Sequence, residues 1–315
     1  MISSSCSLFE GHYHKGVAVL INSLYTKGFR GNFYAGYRGP LPEWAENALK
    51  NDKLGWSNAR TLIVADGLKV HFLPIETSFH LAHYKPEFML KLFDGPAKDS
   101  QFLTYFDPDI VNLCKWEFYE QWMSYGVAMV HEIVSNDMPD THPSRMQWKK
   151  VIQLLKMKQQ REIHSYINAG FCGVSIKNIE FLQVWSRVVK IAIDEFKMDP
   201  AIFIANDRTT PFYCIDQDAF NSAAMCCESP ISEMGPEAMD FMPAGWTMSH
   251  AAGWPKPWNQ NFILSALKGN PPSRPHKHFW NQTLSPINLF SRSMKALKKA
   301  DIFIAVIIGR FYSRN

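Results

Sequence analysis

The chain has 315 residues, of which 46% are hydrophobic and 20% are charged, and this balance excludes a disordered or collagen-like protein. Residues 292–315 carry six Lys or Arg against one Asp, so residues 1–291 have a net charge of −1 although the whole chain has +4. The basic excess therefore belongs to the tail, whereas a nucleic-acid binder more often spreads Lys and Arg over one face of the fold, so we expect no nucleic-acid partner. Six cysteines without a C-x-x-C pair, no basic N-terminal signal and no apolar run of about 20 residues favour a cytoplasmic protein in a reducing compartment.

The first 135 residues alternate between strand-like and helix-like patterns of hydrophobic residues. Two of the strand-like runs flank Asp66-Gly67, which is a turn dipeptide. Strands that alternate with helices over this length predict an α/β sheet with crossover connections. The predicted strands are 4–9, 32–37, 61–65, 70–73, 102–106 and 127–133, and the predicted helices are 13–25, 42–51, 87–93 and 116–125.

The second half of the chain is less regular. A stretch rich in Pro, Gly and Trp begins at residue 235, and we expect it to be a loop. Pro271-Pro272 predicts a boundary, and Pro275 and Pro286 predict an irregular segment after it. Helices are predicted at 146–161, 179–196, 219–225 and 259–267, and a strand is predicted at 166–176.

The C-terminal residues 292–315 combine the basic excess with Phe303, Phe311 and Tyr312. A basic, aromatic tail of this kind fits an anionic membrane surface, which would make the protein peripheral on the inner face of a membrane. The alternatives are a C-terminal helix with a solvated charge run, or a buried strand at 302–308. The sequence leaves these interpretations open.

An acidic pair, Asp107 and Asp109, follows the predicted strand at 102–106. Residues two apart in extended chain point to the same side, so both carboxylates can converge on one ion. Ligands of open α/β sheets bind beyond the carboxyl ends of strands, and a hard cation such as Mn²⁺ or Mg²⁺ suits carboxylates there. An ordinary turn at a strand end is the alternative explanation.

The segment from His250 to Trp258 contains, in one loop, groups that can bind a metal ion and a phosphate. His250 can supply a nitrogen ligand to the same ion, and Gly253 lets the backbone approach a ligand closely. Lys256 is a point charge that suits a phosphate. A tryptophan-rich packing loop with a surface lysine would explain the tryptophans, but not the spacing from histidine to lysine.

This segment resembles the H-x-x-G-x-x-K-P-W signature of the family 8 glycosyltransferases, and all five fixed positions are present. Further blocks resemble the family's motifs in the same order, although Phe220 stands where the family has leucine, and the segment from Glu10 to Tyr13 clearly keeps only the tyrosine. The matching residues are His250, Gly253, Lys256, Pro257, Trp258, Lys85, Asp107-x-Asp109, Asn168-Ala169-Gly170 and Asp216-Gln217-Asp218-x-x-Asn221.

The resemblance implies a GT-A fold over residues 1–270, with a Rossmann-like mixed central sheet flanked by helices, and a C-terminal extension over residues 271–315. It implies an enzyme that moves a sugar from a UDP-sugar to a glycan or glycolipid acceptor, with retention at the anomeric carbon and with Mn²⁺ or Mg²⁺. The implied metal ligands are Asp107, Asp109 and His250, the implied catalytic residues are Asp216 and Gln217, and the implied donor-binding residues are Tyr13, Lys85, Asp107, Asn168, Ala169, Gly253 and Lys256.

Several alternatives stay open. Gln217 can stabilise an oxocarbenium-like centre or act as a weak nucleophile, or the acceptor can attack on the face from which the leaving group departs. A nucleotidyltransferase also uses paired acids, but the chain has neither a G-x-G-x-x-G nor a G-x-x-x-x-G-K-[ST] phosphate loop. A nucleotide-sugar-binding protein without turnover is the non-enzymatic alternative.

Overall fold

A mixed sheet forms the centre of the protein in this computed structural model, which describes residues 2–135 and 137–311. Within these ranges the strands are β1 (Ser3–Glu10), β2 (Gly31–Arg38), β3 (Leu49–Lys50), β4 (Arg60–Ala65), β5 (Leu68–Pro74), β6 (Phe102–Phe106), β7 (Ile110–Asn112), β8 (Val127–His131), β9 (Ile167–Ser175), β10 (Ile231–Met234) and β11 (Met248–His250).

The central sheet has the strand order β10-β8-β9-β6-β1-β2-β5-β4-β3. Strands β6, β1, β2 and β5 run parallel to one another, as do β10 and β8, whereas β9 is antiparallel to both of its neighbours. Strands β7 and β11 pair separately as a short antiparallel ribbon. The carboxyl ends of β1 and β6 and the beginning of β9 therefore lie at the same end of the sheet.

Helices cover both faces of the sheet, as the alternating pattern predicts. On one face the core includes Val17 and Leu20 of the first helix, and on the other it includes Val184 and Val188 of the fifth. The helices are α1 (His14–Thr26), α2 (Lys85–Asp94), α3 (Trp116–Tyr125), α4 (Pro143–Leu154), α5 (Glu180–Asp194), α6 (Ile215–Cys226), α7 (Phe262–Leu267), α8 (Arg274–Asn281) and α9 (Arg292–Phe311).

The structure corrects some of the predicted elements. The predicted helix at 42–51 is wrong, because Glu43–Ala45 forms only one 3-10 turn and β3 follows it. The predicted helix at 146–161 begins earlier and ends at Leu154. Part of the segment after the proline boundary is helical rather than irregular, because Pro275 lies in the first turn of α8, where its missing N–H costs no helical hydrogen bond. Residues 282–291, which include Pro286, are irregular as predicted.

The C-terminal segment is a helix, so the alternative of a buried strand at 302–308 is wrong. Helix α9 packs on α7 and α8, and its Ile302 and Ala305, three residues apart, lie in a small core with Phe262. Two tail residues of the membrane hypothesis, the aromatic Tyr312 and the basic Arg314, lie outside the described part of the chain. No helix within residues 2–135 or 137–311 has the length and hydropathy needed to cross a membrane.

We expect Ile302→Ala to lower the free energy of unfolding by about 2 to 4 kcal/mol, because Ile302 is only 7% exposed and its removal leaves a cavity. The neighbouring Phe303 is 67% exposed, so Phe303→Ala is the matched control and should change stability by about 0.5 kcal/mol or less. Urea unfolding measures both variants, and equal destabilisation by the two substitutions would contradict this packing of α9.

Candidate active site

A cleft of about 540 Å³ lies beyond the carboxyl ends of β1 and β6. Open α/β sheets bind ligands at this end, beyond the carboxyl ends of their strands. Nine of the eleven predicted site residues line the cleft, namely Tyr13, Lys85, Asp107, Asp109, Asn168, Asp216, Gln217, His250 and Lys256. Of the other two, Ala169 is buried in β9, and Gly253 lines a neighbouring cavity of about 340 Å³.

Two carboxylates and one imidazole lie close together in the cleft. One ligand atom from each of Asp107, Asp109 and His250 can be chosen so that all lie within 4.8 Å of one another. The turn after β6 is closed by a hydrogen bond from Ile110 N to Asp107 O, and β11 pairs His250 with Ile110. Two carboxylates and an imidazole nitrogen form a donor set that fits a divalent cation.

Two glycines allow the backbone to come close to this turn. A Cβ at Gly16 of α1 would lie 1.9 Å from the Pro108 carbonyl oxygen. A Cβ at Gly170 of β9 would lie 2.7 Å from His250 Cε1 and 2.9 Å from Asp107 Oδ2. These are closer than real carbon atoms approach, so α1 and β9 can hold the acidic turn only without side chains at these positions.

Lys85 connects the acidic turn to α6. Its Nζ lies 3.0 Å from Asp107 Oδ1 and from Asp216 Oδ2, and it also donates to the Ala169 carbonyl at 3.0 Å. Burial opposes its charge, but the two carboxylates outweigh that effect and raise the pKa of Lys85. Burial likewise opposes the charge of Asp216, but Lys85 and His83 outweigh it and lower the pKa of Asp216. Both groups are therefore charged at neutral pH.

Lys256 makes a second buried ion pair, with Asp109 at 2.5 Å. It also donates to the carbonyls of Ala251 and Ala252. Burial opposes the charge of Asp109, but the neighbouring His250 and Lys256 outweigh it and hold the pKa of this carboxyl well below its usual range. The two buried ammonium groups thus pair with three of the five carboxylates that line the cleft, namely Asp107, Asp109 and Asp216.

Helix α6 brings Gln217 against β9. The Gln217 Oε1 accepts a hydrogen bond from Ala169 N at 3.2 Å, and Asn168 Nδ2 donates to Glu132 Oε2 at 2.5 Å. Asn221 holds the helix in register, because its amide bonds both the N–H and the carbonyl of Ile167. The result is a row of polar side chains along one wall of the cleft.

Asp218 has a structural role, as expected for a first-turn acid. Its carboxyl accepts hydrogen bonds from Cys214 N at 2.8 Å and from the Tyr166 hydroxyl at 2.9 Å. Burial raises its pKa to about 7. Asp218 does not line the cleft, whereas Asp216, two residues earlier, does.

Two pairs of aromatic rings also line the cleft. Trp254 makes an edge contact with Tyr13, with ring centroids 6.3 Å apart. Phe203 stacks on His80 with centroids 5.0 Å apart, and His80 N donates to the Pro200 carbonyl. Sequence reasoning did not select His80, Phe203 or Trp254, because His80 and Phe203 come from chain segments without a motif and tryptophans in a loop suggest packing.

We expect Gly16→Ala to lower the free energy of unfolding by about 1 to 3 kcal/mol, because the new methyl group overlaps a backbone oxygen that cannot rotate away. Gly253→Ala is the matched control: its added methyl group would meet no atom within 4 Å and its φ is not positive, so stability should not change. Urea unfolding distinguishes the two variants. An unchanged free energy of unfolding for Gly16→Ala would show that α1 does not constrain the acidic turn.

No protein-family model matches the chain. A search of curated proteins also found no match. Among solved structures, the bifunctional glycosyltransferase WbbM has a TM-score of 0.52 at 15% sequence identity, and the match covers 90% of this chain and 50% of WbbM. The galactosyltransferase LgtC, in complex with donor and acceptor sugar analogues, has a TM-score of 0.50 at 14% identity, and the match covers 93% of this chain and 99% of LgtC.

The chain thus spans about half the length of WbbM and nearly the whole length of LgtC. At these identities the likeness concerns the fold alone. It agrees with the mixed sheet flanked by helices, and it confirms the fold predicted from the sequence: the chain has the GT-A fold of these glycosyltransferases.

Proposed function

We propose that the protein is a retaining glycosyltransferase of family 8, which uses a divalent cation to transfer a sugar from a UDP-sugar to a glycan or glycolipid. The observation that carries the proposal is the meeting, in one cleft, of the Asp107–Asp109–His250 cluster with two buried lysines. A nucleoside diphosphate departs with negative charge, and this cleft offers both cation ligands and fixed positive charge at one place.

The residues present fit a divalent cation. Asp107 and Asp109 supply oxygen ligands and His250 supplies a nitrogen ligand, as Mn²⁺ accepts. When bound there, the cation would act as a Lewis acid on the leaving diphosphate. The Nε2 of His250 faces the acidic pair, since it lies 3.2 Å from Asp109 Oδ1, and its Nδ1 is buried without a hydrogen-bond partner within the described chain.

Lys256 and Lys85 supply the remaining positive charge. A unit charge pair about 4 Å apart at an effective dielectric near 20 amounts to roughly 4 kcal/mol. If that attraction develops only as the diphosphate departs, it corresponds to roughly a thousandfold in rate. Lys85 lies between Asp107 and Asp216, so it can connect the diphosphate side of the cleft with the sugar side.

The polar wall formed by Asn168, Asp216 and Gln217 would hold the hydroxyl groups of the donor sugar. An amide is a poor nucleophile, so we infer that Gln217 stabilises an oxocarbenium-like centre. Its Oε1 is positioned by the hydrogen bond from Ala169 N and keeps a second lone pair for this role. Tyr13 and the backbone of the Gly253 loop would contact the nucleotide. The acceptor would bind beside Phe203, whose half-exposed ring suits the apolar face of a sugar.

We expect the protein to release UDP slowly from one UDP-sugar in the presence of Mn²⁺ and to lose this hydrolysis with EDTA. Asp109→Asn should reduce the rate at least about a hundredfold, because it removes a metal ligand and the partner of Lys256. A screen of UDP-sugars with a coupled assay for UDP measures both effects and identifies the donor.

The matched control is Asp99→Asn, which removes the same charge from an exposed position and should leave the rate unchanged. Thermal unfolding verifies that the variants fold. Binding of a UDP-sugar without turnover would support the non-catalytic alternative. Neither turnover nor metal-dependent binding with any UDP-sugar would remove the basis of the proposal.

We also propose that residues 1–270 form the catalytic domain and that the extension 271–315 contacts an anionic membrane surface. The extension packs on the domain, since Asn22 of α1 bonds the backbone of Gln282 and Ile287. The outer side of α9 presents an apolar stripe with basic residues beside it. The stripe contains Leu297, Phe303, Ile304, Ile307 and Phe311, and the neighbouring basic residues are Arg292, Lys299 and Arg310.

We expect the protein to sediment with vesicles that contain anionic lipid and to bind neutral vesicles more weakly. The double substitution Phe303→Ser and Ile307→Ser should reduce this binding about tenfold or more, because both apolar side chains would leave the bilayer interface. Ile63→Ser, at an exposed position of the β4–β5 hairpin, is the control and should bind like the wild type. Equal binding by all three proteins would reject α9 as the contact.

A further inference from the structure

Lys256 has no free donor in the cleft. Its Nζ donates to Asp109 Oδ2 at 2.5 Å, to the Ala251 carbonyl at 2.8 Å and to the Ala252 carbonyl at 3.2 Å. An ammonium group has three hydrogens to donate, and these three acceptors use all of them. A phosphate oxygen can therefore accept a hydrogen bond from Lys256 only after one of these contacts is broken.

Both carboxylate oxygens of Asp109 also have partners. Its Oδ2 accepts from Lys256 while its Oδ1 lies 3.2 Å from His250 Nε2, and the side chains of Asp109 and Lys256 are 6% and 4% exposed. A divalent cation bound to Asp109 and His250 would stand beside the Lys256 ammonium at one carboxylate. Two cations so close repel each other strongly at low solvent exposure. The cation and Lys256 therefore compete for Asp109.

The charge balance indicates where Lys256 would go. Four carboxylates, Asp107, Asp109, Glu132 and Asp216, line the cleft with two ammonium groups, Lys85 and Lys256, while Glu10 pairs with Arg38. A divalent cation would compensate the remaining negative charge, so a Lys256 ammonium displaced from Asp109 would need another anion. A diphosphate would supply that anion, and its oxygens would offer Lys256 new acceptors.

We propose that Lys256 is a positioning residue that couples the binding of the cation to the binding of the diphosphate. It neutralises Asp109 in the absence of the cation, and it exchanges that carboxylate for the diphosphate when a cation takes Asp109. The inference rests on the proposed function. Because coupling is reciprocal, each of the two ligands then increases the affinity for the other, and part of that increase depends on Lys256.

The test is the binding of Mn²⁺ alone, measured by calorimetry and by the electron paramagnetic resonance of free Mn²⁺, with and without UDP. Lys256→Met keeps the length of the side chain and removes the competing charge, so it should bind Mn²⁺ alone about tenfold more tightly than the wild type. UDP should increase the Mn²⁺ affinity of the wild type by a larger factor than that of Lys256→Met.

Two controls separate charge from position. Lys53→Met makes the same change in net charge at an exposed site and should bind Mn²⁺ like the wild type. Lys256→Arg keeps the charge at the site and should also bind Mn²⁺ alone weakly. Should Lys256→Met fail to fold, as judged by thermal unfolding, Lys256→Gln takes its place.

The outcomes distinguish the coupling role of Lys256 from the existence of the metal site. Equal Mn²⁺ affinity of the wild type and Lys256→Met in the absence of UDP, or an equal effect of UDP on both, would overturn the coupling role and leave the metal site intact. The absence of Mn²⁺ binding to every variant, with or without UDP, would overturn the metal site itself and this inference with it.

Discussion

The structure of the cleft depends on the compensation of buried charge. Asp109 and Asp216 are almost fully buried, and an unpaired carboxylate in such a place costs several kcal/mol. Lys85 and Lys256 reach these acids from two separate parts of the chain, the beginning of α2 and the loop after β11. The same charges that hold the cleft together are those that a cation and a diphosphate would use. Binding is therefore an exchange of ion pairs rather than a simple addition to a neutral surface.

The arrangement also requires that three backbones come together at the acidic turn. Gly16 of α1 lies against the Pro108 carbonyl, and Gly170 of β9 lies against Asp107 and His250. Helix α6 is bound to β9 through Asn221, which sets Asp216 and Gln217 opposite the turn. Small residues and hydrogen bonds to the backbone thus set how closely these elements approach, and the ion pairs then hold the charged groups together.

Much of this could be predicted from the sequence, and the failures have physical reasons. The predicted bounds of α3 and of the apolar run that forms β6 agree with the structure. The ribbon of β7 and β11 is too short to show any period, yet it is what brings His250 to Asp109. The motifs that begin at Asp107, Asn168 and Asp216 can be found in the sequence. Phe203 cannot, because its place at the cleft follows from its tertiary contact with His80.

The C-terminal helix cannot be separated from the cleft by deletion. Lys298 donates to the Gln260 carbonyl, and Asp301 accepts from Ile263 N, so α9 supports the chain that immediately follows the Lys256 loop. The inner side of α9 also buries Ile302, while its outer side leaves Phe303 and Phe311 exposed. Loss of the helix would disturb the position of Lys256 together with any membrane contact. Substitutions of exposed residues on the outer side, such as Phe303, would remove only the membrane contact, so they can assign a separate role to that surface.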